Sequence, residues 1–171
     1  SIVYSIPESS APWYYEMHEP GYNYRITDFQ CALGSSQLKR LDQFVQKRCE
    51  IAKKYNGSFS NVDNLIMPET LNSVEHAYHL YPLQIDFNKL SLSKSQFFEK
   101  MKQAGINLQV HYIPIHLQPF YKKKYGFKLD DFPAAEEFYA KEVSLPIYPD
   151  LSIDDQTRVI EKLSRLINAW P

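Results

Sequence analysis

Apolar residues recur at helical spacing in three long stretches of the chain. These stretches predict helices over residues 27–58, 94–104 and 153–168. Each stretch begins at or just after a Ser or Thr that is followed three residues later by Gln or Asp, a pattern that caps the exposed amides of a first helical turn. The first stretch contains Gly34 and ends near Asn56-Gly57, and we expect it to bend near residues 40–42.

Two segments alternate between apolar and polar residues and predict β-strands, residues 76–86 and 106–115. Pro82 lies in the first and favours an edge position, because proline has no amide hydrogen to donate. We expect the two strands to pair in one sheet covered by the helices at 94–104 and 153–168. This arrangement is an α+β fold with a short antiparallel or mixed sheet, preceded by a long helix.

The remaining segments predict shorter elements. Residues 60–75 are polar and predict a loop, 119–125 a short basic helix, 133–143 a further helix, and 144–149 an extended segment. In the helix at 133–143, Phe138 and Val143 are expected to face inward.

The pattern divides the chain into three parts. Residues 1–26 contain several prolines and an aromatic cluster at 13–15, and predict an irregular arm covered by a partner surface. Residues 27–58 form the long connecting helix, and residues 59–171 the small α+β domain.

Composition narrows the class of protein. The formal net charge of −1 argues against a general nucleic-acid or anionic-membrane binder, and no apolar run approaches the length of a membrane span. The N-terminus lacks the features of a signal peptide. The two cysteines, Cys31 and Cys49, are too far apart along one helix for a disulfide and lack the paired spacing of a zinc site, which favours a reduced, cytoplasmic chain.

The turn at residues 21–25, GYNYR, is the first candidate site. Asn23 offers amide donors and Arg25 a forked cation, and both groups suit phosphate oxygens. Local chemistry alone leaves a second interpretation open, in which Asn23 satisfies the turn and Arg25 pairs with a surface carboxylate.

Histidines supply the other candidates. His111 and His116 lie five residues apart on a predicted strand, so they face opposite sides, and no nearby carboxylate or thiol completes a metal site. Either could hydrogen-bond a diphosphate or a sugar hydroxyl, or simply be satisfied by backbone groups. His76 and His79 are more typical of an edge strand. Lys122–Lys124 could attract a diphosphate but is more typical of a solvated surface.

No motif for nucleophilic catalysis and no glycine-rich phosphate loop is present. The sequence therefore predicts no catalytic residue and no metal ligand in this chain.

Three segments together resemble one known family. The segment 21–38, GYNYRITDFQCALGSSQL, resembles the GxNxRxxxxQAAxGxxQL motif of the DegT/DnrJ/StrS sugar-nucleotide aminotransferases, and GINLQVHYIPIH (105–116) and EVSLPIYP (142–149) also match. The resemblance implies the small C-terminal domain of a fold type I enzyme that uses pyridoxal 5′-phosphate. It also implies that Asn23 and Arg25 contact the cofactor phosphate across a homodimer interface, and that Tyr22, His111 and Tyr112 bind the substrate.

In that family the lysine that holds the cofactor lies upstream of the GxNxR motif, and here no lysine precedes Lys39. The resemblance therefore implies the C-terminal portion of an enzyme that transfers an amino group from glutamate to a nucleotide-linked 4-keto-6-deoxy sugar. The combination resembles the branch that aminates a UDP-linked 4-keto-6-deoxy-N-acetylamino sugar in pseudaminic acid biosynthesis. This portion is expected to be inactive and cofactor-free alone. The alternatives are a non-catalytic sugar-nucleotide-binding module and a dimerisation module.

Overall fold

The computed structural model describes residues 18–168, in two compact units that divide between Leu38 and Lys39. In the N-terminal unit an irregular segment leads into helix α1 (Asp28–Leu38). The predicted cap is confirmed, because the Thr27 amide donates to Gln30 Oε1 at 2.9 Å and the Gln30 amide donates to Thr27 Oγ1 at 3.4 Å. The aromatic cluster at 13–15 lies outside the described residues.

The helical stretch predicted over 27–58 is divided into two helices. Helix α2 runs over Leu41–Phe59, and residues 39 and 40 form a turn before it. Arg40 leaves the helical region with φ −109° and ψ 3°, and its guanidinium lies 4.7 Å from the centre of the Phe44 ring. The interruption therefore falls at the start of the predicted bend.

The sheet has three antiparallel strands in the order β1 (Leu65–Ile66), β2 (Tyr81–Ile85), β3 (Glu142–Leu145). Strand β1 pairs only with residues 84–85 of β2, whereas β3 pairs with residues 81–84. The predicted edge position of Pro82 was wrong, because β2 is the central strand. Proline is tolerated there because Pro82 has its partner on β3 and β1 does not reach it. The predicted α+β fold with a short antiparallel sheet is confirmed.

Several strand predictions were wrong in extent or pairing. Residues 76–80 precede β2 as irregular chain, and β1 lies in the predicted loop. The segment 106–115 does not pair with β2, because its only ladder contact in the described chain is a bridge from Gln109 to Ser144 of β3. Pro114 then leads into a 3-10 turn over Ile115–Leu117.

Four further helices complete the described chain. They are α3 (Lys94–Gln103), α4 (Pro119–Tyr125), α5 (Pro133–Lys141) and α6 (Ile153–Asn168). Helix α5 ends before Val143, which lies buried on β3. Phe138 is 38% exposed, so the prediction that Phe138 faces inward was wrong. The predicted caps are confirmed at Ser93, which forms a capping box with Gln96, and at Ser152, whose hydroxyl accepts from the Asp155 amide at 3.0 Å.

The core lies between the sheet and helices α2, α3 and α6. Its fully buried side chains include the following residues: Tyr55, Phe59, Tyr81, Leu83, Ile85, Phe97, Met101, Val143 and Leu163. The predicted burial of Phe97 and Leu163 is confirmed, whereas Leu166 is only partly buried.

Polar side chains join these elements at defined points. The Tyr55 hydroxyl donates to the Pro146 carbonyl at 2.9 Å, the Tyr81 hydroxyl to Asn56 Oδ1 at 2.6 Å, and Gln156 Nε2 to the Ile51 carbonyl at 2.8 Å. Burial raises the pKa of both phenols, so each remains a neutral donor. These bonds hold α2 against β2, α6 and the segment that follows β3.

Of the helices in residues 18–168, none is long and apolar enough to cross a membrane. Cys31 is an exposed thiol of α1 and Cys49 a half-buried thiol of α2.

Candidate functional site

The turn at residues 21–25 presents its polar side chains to solvent. The Arg25 amide donates to Asn23 Oδ1 at 3.4 Å, so the carboxamide oxygen closes the turn. The side-chain NH2 of Asn23 keeps its two N–H donors. Arg25, two residues further along the chain, is also exposed. The turn can therefore offer N–H donors from two side chains to an anion.

Two tyrosines flank Asn23 in this turn. Tyr22 and Tyr24 are each 86% exposed, and their ring centres lie 5.7 Å apart. Tyrosine suits contacts that are part apolar and part hydrogen-bonded. In the N-terminal unit the structure thus brings Tyr22, Asn23 and Arg25 together on one short turn.

His111 is held by a polar cluster on β3. Its backbone amide donates to Glu142 Oε2 at 3.0 Å, and its Nδ1 lies 2.8 Å from Ser144 Oγ. The Ser144 hydroxyl in turn donates to Glu142 Oε1 at 2.5 Å. His111 itself is half-buried, whereas Glu142 and Ser144 are buried in the sheet.

Tyr112 follows His111 but faces outward. Its side chain is 72% exposed, and its ring meets the His111 ring edge to face at 4.7 Å between centres. The peptide bond between the two residues is cis. The C-terminal unit therefore presents an imidazole fixed by the sheet next to a solvent-facing phenol.

Glu142 and Ser144 were not predicted as site residues. The available signal was Glu142 itself, a charged residue at the start of a short buried strand, because a buried carboxylate requires partners. Lys94, at the start of α3, belongs to the same region. Burial lowers its pKa, and the charge of Glu142 opposes that shift.

A second buried pair lies at the 3-10 turn after Pro114. His116 Nε2 is 2.7 Å from Glu136 Oε1, and the two side chains are 7% and 13% exposed. Glu136 also accepts from the backbone amides of Asp130 and Phe132, at 3.0 and 3.4 Å. The Asp130 bond chiefly, together with the His116 bond, lowers the pKa of the Glu136 carboxyl. The prediction that His111 and His116 lie on one strand was wrong, because His116 lies in the 3-10 turn. The His116 ring contacts Glu136, whereas the His111 ring contacts Ser144.

An aromatic cavity of about 510 Å³ opens beside this pair, in the size range of small-molecule sites. Its lining is mostly apolar: Pro114, Ile115, His116, Tyr121, Tyr125, Phe127, Phe132 and Ala135. The exposed lysines of α4 lie next to it, and Lys124 Nζ is 5.3 Å from the centre of the Tyr125 ring. Such a surface can accept a flat ring, with cations available for attached anionic groups.

The remaining histidine candidates form no site. His76 accepts from the Tyr78 amide through Nδ1 at 2.9 Å, and both His76 and His79 are exposed before β2. Residues 18–168 contain no group of three or more His, Cys, Asp or Glu side chains arranged to hold a metal ion.

Comparison with known proteins assigns the chain to one group of sequences. The model of the DegT/DnrJ/EryC1/StrS aminotransferase family matches residues 5–164. The spore coat polysaccharide biosynthesis protein SpsC of Bacillus subtilis is 41% identical over 93% of this chain and 41% of its own length. The UDP-4-amino-4,6-dideoxy-N-acetyl-beta-L-altrosamine transaminase of Campylobacter jejuni is 36% identical over 91% of this chain and 40% of its own length.

Solved structures agree with that assignment. Helicobacter pylori PseC, described as an aminotransferase of pseudaminic acid biosynthesis, superposes with a TM-score of 0.82 at 28% identity, covering 94% of this chain and 42% of its own. The PLP form of the sugar aminotransferase Spr1654 from Streptococcus pneumoniae also gives a TM-score of 0.82 at 28% identity, over 92% of this chain and 40% of its own. The chain spans about two fifths of the length of these proteins.

Proposed function

This chain belongs to the DegT/DnrJ/EryC1/StrS aminotransferase family, and from that membership we propose that it forms the part of a pyridoxal-phosphate-dependent sugar-nucleotide aminotransferase that follows the cofactor lysine. The intact enzyme would transfer an amino group from glutamate to a nucleotide-linked 4-keto-6-deoxy sugar. Within it, residues 1–26 are proposed as an active-site arm, 27–58 as the connecting helical segment, and 59–171 as the small domain.

The observation that carries the proposal is the exposed turn at residues 21–25. Its donor set fits the phosphate of pyridoxal phosphate, because a carboxamide and a guanidinium both donate N–H bonds and the guanidinium adds a positive charge. Asn23 closes the turn through its oxygen, so its amide donors remain available. We therefore assign Asn23 and Arg25 to the cofactor phosphate, reached across the interface of a homodimer.

The donors of Asn23 and Arg25 suit the phosphate end of the cofactor. Residues 1–38 contain no lysine, so the covalent attachment and the catalytic lysine are proposed to come from a different part of the intact protein. When bound, the cofactor supplies the electron sink of amino transfer. The residues of this chain are proposed to hold its phosphate and to orient the substrate.

The substrate is proposed to contact Tyr22, His111 and Tyr112. His111 supports this assignment because its ring is held in place by the sheet while it stays half-exposed, and Tyr112 because its phenol faces solvent beside it. The aromatic cavity next to His116 suits the base of a nucleotide, since flat rings stack on aromatic side chains. Similarity to the Campylobacter and Helicobacter proteins favours a UDP-linked 4-keto-6-deoxy-N-acetylamino sugar.

The test uses the intact protein that contains this chain. It is incubated with pyridoxal phosphate, glutamate and a UDP-linked 4-keto-6-deoxy sugar, and the amino sugar is measured by mass spectrometry with 15N-glutamate as donor. The corresponding 4-hydroxy sugar is the matched control, because it has no keto group to accept nitrogen. Incorporation of 15N into the keto sugar alone is the expected result.

Two other outcomes distinguish the alternatives. Binding of the UDP-sugar without nitrogen transfer would contradict an aminotransferase and support a sugar-nucleotide-binding module. Neither binding nor transfer, in a protein that is dimeric, would support a dimerisation module. The 171-residue chain alone is expected to show no transfer.

A further inference from the structure

The Glu142 carboxylate, the Ser144 hydroxyl and the His111 imidazole form a chain of contacts beside β3. Two hydrogens decide its pattern, the hydroxyl hydrogen of Ser144 and the N–H hydrogen of the imidazole. Glu142 Oε2 accepts the His111 backbone amide at 3.0 Å, Glu142 Oε1 lies 2.5 Å from Ser144 Oγ, and Ser144 Oγ lies 2.8 Å from His111 Nδ1. A carboxylate can only accept, a serine hydroxyl has one hydrogen to donate, and a neutral imidazole has one N–H. The positions of the hydrogens are therefore coupled along the chain of contacts.

We propose that Glu142 is a positioning residue that, through Ser144, holds His111 as the Nδ1–H tautomer. The Ser144 hydrogen points to the carboxylate, so Ser144 Oγ can only accept along its second contact. The donor in that contact is then His111 Nδ1–H. Its other nitrogen, Nε2, is left with a lone pair as long as the ring is neutral.

The surroundings favour this arrangement. Glu142 has no exposed surface and Ser144 is 4% exposed, so bulk water does not compete for their hydrogen bonds. The two carboxylate oxygens are oriented separately, one by the His111 amide and one by the Ser144 hydroxyl. Lys94 of α3 lies in the same region, where the charge of Glu142 raises the Lys94 pKa against the larger, opposite effect of burial.

The consequence for binding follows from the tautomer. A neutral His111 would accept a hydrogen bond at Nε2, for example from a sugar hydroxyl or an acetamido N–H, and would not donate one. That contact rests on the proposed function, since it needs a substrate next to His111. The tautomer itself depends only on Glu142, Ser144 and His111.

The experiment reads the tautomer directly, by two-bond 1H–15N correlation spectra of the imidazole rings. The chain has five histidines, and the spectrum of His111→Gln identifies the His111 signals. Spectra are taken near pH 8.5, where an ordinary imidazole is neutral (pKa about 6.5). The expected result is a protonated Nδ1 and an unprotonated Nε2. A protonated Nε2 would overturn the proposal, because Ser144 would then be donating to the ring.

Glu142→Gln provides the sharp test, because an amide has a fixed donor end. Its oxygen must face the His111 backbone amide, which can only donate, so its NH2 faces Ser144. The Ser144 hydrogen then turns to His111 Nδ1, and the ring should switch to the Nε2–H tautomer. Retention of the Nδ1–H tautomer in a folded Glu142→Gln protein would overturn the proposal.

Two further variants keep the test decisive. Glu137→Gln is the matched control, because Glu137 is 68% exposed and pairs with Lys141, and its change should leave the His111 spectrum as it was. Ser144→Ala removes the acceptor of Nδ1–H, so a mixture of tautomers is expected even if Glu142→Gln does not fold. Pure Nδ1–H in Ser144→Ala would contradict the proposal. A switched tautomer with unchanged KM for the sugar in the intact enzyme would support the proposal and count against substrate contact by His111.

Discussion

Replacing Asn23 by Asp separates the two roles that its side chain can have. Asn23 Oδ1 accepts the Arg25 amide at 3.4 Å, and an aspartate oxygen can accept the same bond. The turn should therefore persist in Asn23→Asp, whereas the two amide donors are lost. Asn23→Ala loses both the turn contact and the donors.

The magnitudes follow from these bonds. A hydrogen bond to a charged group contributes about 1.5–3 kcal/mol, so losing the donor to a phosphate should weaken cofactor binding roughly ten- to hundredfold. Asn23→Asp also brings a negative charge towards the phosphate, so it should bind more weakly than Asn23→Ala. The turn contact is long and exposed and should contribute at most about 0.5 kcal/mol.

The assay is carried out on the intact protein. Pyridoxal phosphate affinity is measured by equilibrium dialysis, and the thermal midpoint is measured in the cofactor-free state. The control is Asn72→Asp, because Asn72 also lies in an exposed turn and the change adds the same charge. Unchanged affinity in Asn23→Asp, or losses equal to those of Asn72→Asp, would refute the phosphate assignment. Destabilisation of Asn23→Ala, with cofactor affinity unchanged in both Asn23 variants, would show that Asn23 only shapes the turn.

Three further predictions can be tested on the 171-residue chain. Treatment with pyridoxal phosphate and borohydride should label no single lysine stoichiometrically in peptide maps, and complete labelling of one lysine would contradict the proposed role of the chain. Tyr81→Phe should lower the free energy of unfolding by about 1 kcal/mol, because Asn56 Oδ1 loses its donor. In a double-mutant cycle with Asn56→Ala, measured by guanidinium unfolding, the two stability losses should be coupled. Additive losses would refute the contact. Glu136 has a lowered pKa when folded, so its charge stabilises the fold above the ordinary glutamate pKa, and this contribution is lost as the pH falls through the folded value. Glu136→Gln should therefore be less stable than the unchanged chain in urea at pH 7, and the gap should close towards pH 3; an equal gap at both pH values would contradict this prediction.

Local signals in the sequence determined the helices well. Ser93 and Ser152 cap their helices as predicted, because a cap depends on residues three positions apart and on little else. The interruption at residues 39–40 was predicted only as a bend, since no proline or glycine marks it.

Strand pairing was decided by the tertiary structure. Residues 106–115 have the alternation of a strand, but β2 takes β1 and β3 as its neighbours and leaves that segment a single bridge at Gln109. The two-residue strand β1 has too little pattern to be detected in a polar loop. Pairing depends on which edges are already occupied, and that information is not local.

The sequence by itself determined the family, through motifs at residues 21–38, 105–116 and 142–149, and it singled out Asn23 and His111 as polar groups in those motifs. Only the tertiary structure joined His111 to Ser144 and Glu142, and His116 to Glu136, from positions at least 20 residues apart. The physical reason is that a turn or a cap is formed by neighbours along the chain. A buried carboxylate, in contrast, is satisfied by whichever donors the packed sheet and helices bring to it.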